Sequence, residues 1–97
     1  MKINVKINSN LRIKNVFEPP LAMELEVGGN TLQDVLQKLT ELYHPLQFIE
    51  KGEMGDDLCN IYLNGESHFS FSEGLKREIK AGDTIMVEAY MDPLAGG

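Results

Sequence analysis

"TLQDVLQKLTELY", Thr31 to Tyr43, is the stretch on which the fold turns. Its apolar residues Leu32, Val35, Leu36, Leu39, Leu42 and Tyr43 recur at helical spacing, which gathers them into one stripe on a helix of 3.6 residues per turn. Thr31 precedes Asp34 by three residues, so hydroxyl and carboxylate can each accept a backbone N–H that the first turn leaves unpaired. Pro45 lacks a donor and biases His44 away from helical angles, which predicts an end by Tyr43. A helix with one apolar face needs an apolar surface to lie on.

The flanking sequence supplies strands. In "KINVKI" Ile3, Val5 and Ile7 fall on one side, with Lys2, Asn4 and Lys6 on the other, the period of a half-buried strand. "LRIKNV" is a weaker alternating piece that stops at Pro19–Pro20. "AMELEV" places Met23, Leu25 and Val27 inward and Glu24 and Glu26 outward, where they can pair with outer lysines of the first strand. "GGN" then turns the chain into the helix.

Beyond the helix, Leu46, Phe48 and Ile49 fit either a short helical turn or a short strand, and "KGEMGDD" reads as an exposed loop. "CNIYLNGE" is a strand closed by the Asn64–Gly65 turn signal. Cys59 shares the parity of Ile61 and Leu63 and is therefore expected to be a buried, inert thiol. "SHFSFSEGLKREI" reads as connection, with Leu75 and Ile79 plugging the core, and "KAGD" as a turn. "TIMVEAY" is the last strand, with Ile85, Val87 and Ala89 inward.

One amphipathic helix on one face of a mixed sheet makes a two-layer α+β domain. The uncharged inner faces of the first and last strands suit the centre of the sheet, side by side and parallel, and the element order resembles the β-grasp. The expected organisation is a β-grasp domain over residues 1–91 and a flexible tail over 92–97.

Composition narrows the function. Ninety-seven residues, 42% hydrophobic and 25% charged, allow one core. A net charge of −6 opposes phosphate backbones and anionic lipid, so neither nucleic acid nor membrane is an expected partner. The N-terminus lacks a signal-peptide core and no run approaches a membrane span, which gives a cytoplasmic expectation. A single cysteine excludes an internal disulfide.

Sites for chemistry are sparse. His44 and His68 fit no metal motif. "VGGNT" and "KAGDT" are turns and not phosphate loops. Glu50, Glu53, Asp56 and Asp57 lack calcium-loop spacing and read as a solvated loop. No metal and no bound cofactor are expected. Tyr62, Met86 and Tyr90 fall on the outer face by strand parity; apolar residues gathered there can mark a partner surface, although scattered ones need no explanation.

The chain closes on "PLAGG", Pro93 to Gly97. A glycine carboxylate has no Cβ to crowd its acyl carbon, and six residues from Asp92 onward reach about 20 Å at roughly 3.3 to 3.6 Å each. Such a segment can thread into another protein's active site.

With a β-grasp order, a Gly82–Asp83 turn before the final strand, Pro93 and the terminal Gly96–Gly97, the chain resembles the MoaD/ThiS ubiquitin-like sulfur carriers. The specific signal lies in about the last sixteen residues, and "PLAGG" is similar to the MoaD ending. The resemblance implies a carrier or non-catalytic synthase subunit, not an enzyme. Gly97, with Gly96 before it, would be adenylated by an E1-like, MoeB/ThiF-type partner using ATP in trans. It would then become a thiocarboxylate that gives its sulfur to a synthase large subunit, most simply in molybdopterin synthesis. Tyr62, Met86, Tyr90, Pro93, Leu94 and Ala95 would contact the partner. Family tails often carry two adjacent prolines where this one has Asp92–Pro93, and "VFEPPLAM" has no family counterpart. Thiamine, tungstopterin, cysteine and tRNA thiolation stay open as alternatives, as do conjugation to proteins and a β-grasp module without sulfur transfer.

Overall fold

The computed structural model describes residues 1–90; the expected tail, and with it Pro93, Leu94, Ala95, Gly96 and Gly97, lies outside them. Strand β1 (Lys2–Ser9) buries Ile3, Val5 and Ile7 and exposes Lys2, Asn4 and Lys6. It pairs antiparallel with β2 (Leu21–Glu26) on one side. On the other it pairs parallel with β7 (Thr84–Ala89), Val5 opposite Ile85 and Ile7 opposite Val87. Strand β5 (Asn60–Leu63) continues the sheet antiparallel to β7, and β6 (Glu66–Ser67) forms the far edge, giving the order β2-β1-β7-β5-β6. The first and last strands are central and parallel, as their apolar parity predicts.

Helix α1 (Leu32–Leu42) begins at a closed capping box. Asp34 N donates to Thr31 Oγ1 at 3.2 Å, and Thr31 N donates to Asp34 Oδ2 at 3.0 Å. Leu32, Val35, Leu36 and Leu39 are fully buried with the inner strand residues in one core. Leu42 is a correction: it is 47% exposed, because the stripe outlasts the surface it covers. Tyr43 ends the helix, its N–H donating to Leu39 O at 3.0 Å, and its ring stands edge-on to Phe17 at 5.1 Å.

"LRIKNV" forms no strand. It folds into a tight turn in which Ile13 bridges Phe17, and Asn15 takes a φ of 66°. The turn drops Phe17 into the core with no exposed surface. The expected loop "KGEMGDD" is partly ordered as a hairpin of β3 (Ile49–Glu50) and β4 (Glu53–Met54). Lys51 and Gly52, with φ of 52° and 80°, supply the two left-handed positions that a two-residue turn requires. Asn64 and Gly65, at 49° and 89°, do the same between β5 and β6.

Lys2 does stand opposite Glu26, but Lys6 faces Ala22, and Glu26 Oε1 meets the Met1 amino group at 3.0 Å. Ile79 is buried and Leu75 packs against the core, as expected of plugs. Backbone bonds from Ile79 N to Asn30 O and from Leu32 N to Arg77 O fasten that segment beside the start of α1.

Candidate functional site

Tyr62, Met86 and Tyr90 fall on the sheet face opposite α1, the first two half-buried and the third exposed. Tyr62 in β5 and Met86 in β7 are direct cross-strand partners. Tyr90 follows β7 with the parity of Met86 and Glu88 and is 44% exposed. Polar groups frame the pair: Asn8 Nδ2 donates to Met86 Sδ at 3.6 Å, and the Tyr62 hydroxyl donates to Glu88 Oε1 at 2.8 Å. That bond to a carboxylate is the main cause raising the Tyr62 pKa above its ordinary value. Along this face Glu88 stands between Met86 and Tyr90, so a carboxylate separates the two apolar side chains.

Cys59 overturns the expectation of a buried thiol: it is exposed. It stands just before β5, where its N–H donates to Glu88 O at 2.8 Å. Its sulfur turns from the core to the backbone of Tyr90. Sγ donates to Tyr90 O at 3.2 Å and accepts from Tyr90 N at 3.3 Å. Across β7, Ser9 Oγ donates to Ala89 O and accepts from Leu11 N at 2.9 Å. The parity signal could not find this arrangement, because parity assigns a side and not a partner.

Among the described residues His68 is a buried polar residue, 4% exposed. Asn60 Oδ1 accepts from Ile61 N at 2.8 Å and Ser67 Oγ at 2.9 Å, and lies 3.0 Å from His68 Nδ1. The two donors identify that atom as the amide oxygen. Burial lowers the His68 pKa and keeps the ring neutral. A groove of about 610 Å³ lies between the β3–β4 turn and residues 74–76, with Met54, Leu75 and His68 in its wall. Tyr62, Met86 and Tyr90 do not line it.

Among the described residues no three His, Cys, Asp or Glu side chains converge as metal ligands. Asp57, from the acidic loop, is engaged by Gln47 N at 2.7 Å. No helix of the described residues is long and apolar enough to cross a membrane.

No family model and no curated protein sequence matches the chain. Solved structures do. The chain is similar to small archaeal modifier protein 1 from Methanosarcina acetivorans, with a TM-score of 0.66, 28% identity and 94% of each chain covered. It is similar to small archaeal modifier protein 1 from Haloferax volcanii, with a TM-score of 0.64, 25% identity and all of both chains covered. A chain of the Amycolatopsis orientalis BexX/CysO complex matches in fold at a TM-score of 0.65 and 23% identity, over 93% of this chain and 97% of that one. The fold is the ubiquitin-like β-grasp that these neighbours share, which bears out the resemblance to a ubiquitin-like protein.

Proposed function

We propose that this protein is a ubiquitin-like carrier that works through the carboxylate of Gly97, activated by an E1-like adenylating enzyme. The observation that carries the reading is the whole-chain likeness to small archaeal modifier protein 1, 28% identical over 94% of both chains, together with the "PLAGG" ending. A terminal carboxylate has a reference pKa of about 3.3 to 3.7 and is ionised at neutral pH. Its oxygen attacks the α-phosphorus of ATP on the partner, pyrophosphate leaves, and an acyl-adenylate forms. A hydrosulfide equivalent then attacks the acyl carbon, AMP departs, and a thiocarboxylate remains. Gly96 keeps the backbone slim where it approaches the partner, since a Cβ there would crowd the channel.

On this reading Tyr62, Met86 and Tyr90 dock on the adenylating enzyme, and Pro93, Leu94 and Ala95 continue the contact. The sulfur acceptor we favour is the molybdopterin precursor held by a synthase large subunit, because "PLAGG" is similar to the MoaD ending. A second reading, attachment to protein lysines through the same activated carboxylate, is favoured by the modifier names of two structural neighbours.

Intact mass of the protein from its native host separates the readings: a thiocarboxylate adds the mass change of oxygen replaced by sulfur, a conjugate adds a protein, and a β-grasp module without transfer shows neither. ATP–pyrophosphate exchange with the host's adenylating enzyme is expected for the full chain and lost on deletion of Gly97. A deletion variant that exchanges and takes up sulfur like its parent overturns the carrier reading.

A further inference from the structure

The last residues of β7 are held from both flanks by side chains. On one flank β1 ends at Ser9, opposite Ala89; the Ser9 hydroxyl donates to the Ala89 carbonyl and accepts from Leu11 N–H, so one side chain ties the end of β7 to the departing β1 loop. On the other flank the paired residues of β5 begin at Asn60, opposite Glu88. One residue further out the Cys59 thiol takes over, meeting both the N–H and the carbonyl of Tyr90. A thiol has one donor and a weak acceptor site, and Tyr90 uses both. Tyr90 is thus bound through its backbone just past the end of β7, while the residue as a whole is 44% exposed on the open sheet face.

We propose that Ser9 and Cys59 are positioning residues, a two-sided clasp that holds the backbone of Ala89 and Tyr90 in place at the end of β7. The inference rests on the carrier reading, in which the reacting carboxylate of Gly97 lies seven residues beyond Tyr90. A segment whose root is fixed reaches a partner's channel with less orientational freedom to lose on binding. The clasp therefore acts on recognition of the carrier and leaves the chemistry of the activated carboxylate to the partner. The exposed thiol reacts with nothing in this role; it is used for its hydrogen bonds.

The test uses the full chain with Cys59→Ala, Cys59→Ser and Ser9→Ala, read in two ways: amide exchange at Tyr90 by NMR, and ATP–pyrophosphate exchange with the host's adenylating enzyme. Cys59 is exposed, so its variants keep the fold even where Ser9→Ala loosens the β1 end, and thermal melting checks this. Loss of the thiol should speed Tyr90 exchange and raise the KM for the carrier by about two- to tenfold, the span of one modest hydrogen bond, with kcat unchanged. Cys59→Ser, whose hydroxyl also donates and accepts, should restore both readouts, and Ser9→Ala should move KM in the same direction as Cys59→Ala. Unchanged Tyr90 exchange in Cys59→Ala overturns the proposal, as does faster exchange with an unchanged KM. A Cys59→Ser variant that holds Tyr90 like the parent yet fails in adenylation shows that the thiol acts chemically and also overturns it. If the unaltered chain supports no ATP–pyrophosphate exchange at all, the carrier reading fails first, and the clasp's part in recognition falls with it.

Discussion

The Tyr62 hydroxyl donates to Glu88 Oε1 at 2.8 Å, joining β5 to β7 on the sheet face that α1 leaves open. A phenol bonded to a carboxylate resists ionisation, because the phenolate would lose that bond and face a like charge. Tyr62 should therefore titrate above the ordinary tyrosine range, near 10, and Glu88→Gln should bring it down. Ultraviolet titration of the phenolate checks this; equal midpoints in the two proteins would refute it. The folded pKa is the raised one, so the stabilisation is fully present below the unfolded value and fades as pH climbs through the folded value.

His68 gives the opposite sign. Burial lowers its pKa from about 6.5, so the unfolded chain takes up the proton first as pH falls. Its contribution is complete above about pH 6.5 and declines below that as acidification proceeds through the folded value. Denaturant melts at pH 7.5 and 5.5 should differ more for the parent than for His68→Gln, which keeps a polar group and cannot titrate. Equal differences would mean that other groups carry the acid sensitivity.

The helix stripe divides sharply in energy. Leu36 and Leu39 are fully buried, and replacing either with Ala should cost about 2 to 5 kcal/mol through the cavity left behind. Leu42, 47% exposed, should lose no more than about 0.5 kcal/mol on the same change. Urea melts of the three variants provide the comparison.

Met86→Asp with Tyr90→Asp should weaken binding to the adenylating enzyme by more than tenfold, the order expected when interface anchors are lost at about 1.4 kcal/mol or more. The circular dichroism should be unchanged, since both side chains lie on the open face. Calorimetric titration reads the affinity, and a folded double variant that binds like the parent would place the contact elsewhere.

Much of this architecture is legible in the residues themselves. Thr31 and Asp34 announce the helix start because a capping box is local chemistry, and Ile3, Val5, Ile7, Ile85 and Val87 announce central strands because alternation is enforced by a buried face. What escapes the sequence is long-range. Phe17 reaches the core through a turn whose only local mark is Asn15 in a left-handed conformation. The hairpin at Lys51–Gly52 has strands of two residues each, too short for any period to show. Cys59 follows the parity of Ile61 and Leu63 along the chain, yet it lies before the first residue of β5, where its sulfur finds the backbone of Tyr90. The open face was foreseeable from Tyr62, Met86 and Tyr90; the clasp beside it depends on three segments meeting.

The position of β7 between β1 and β5 also governs how the chain must be made. Its pairing with β1 joins residues some eighty positions apart, a closure that comes late and slowly in folding. Until residues 84–89 have emerged from the ribosome, β1 and β5 each present a bare edge with no neighbour to cover it. Such edges invite pairing with other nascent chains. A premature stop before Thr84 therefore removes the wedge that closes the domain, and protein quality control receives an open sheet in place of a shortened domain.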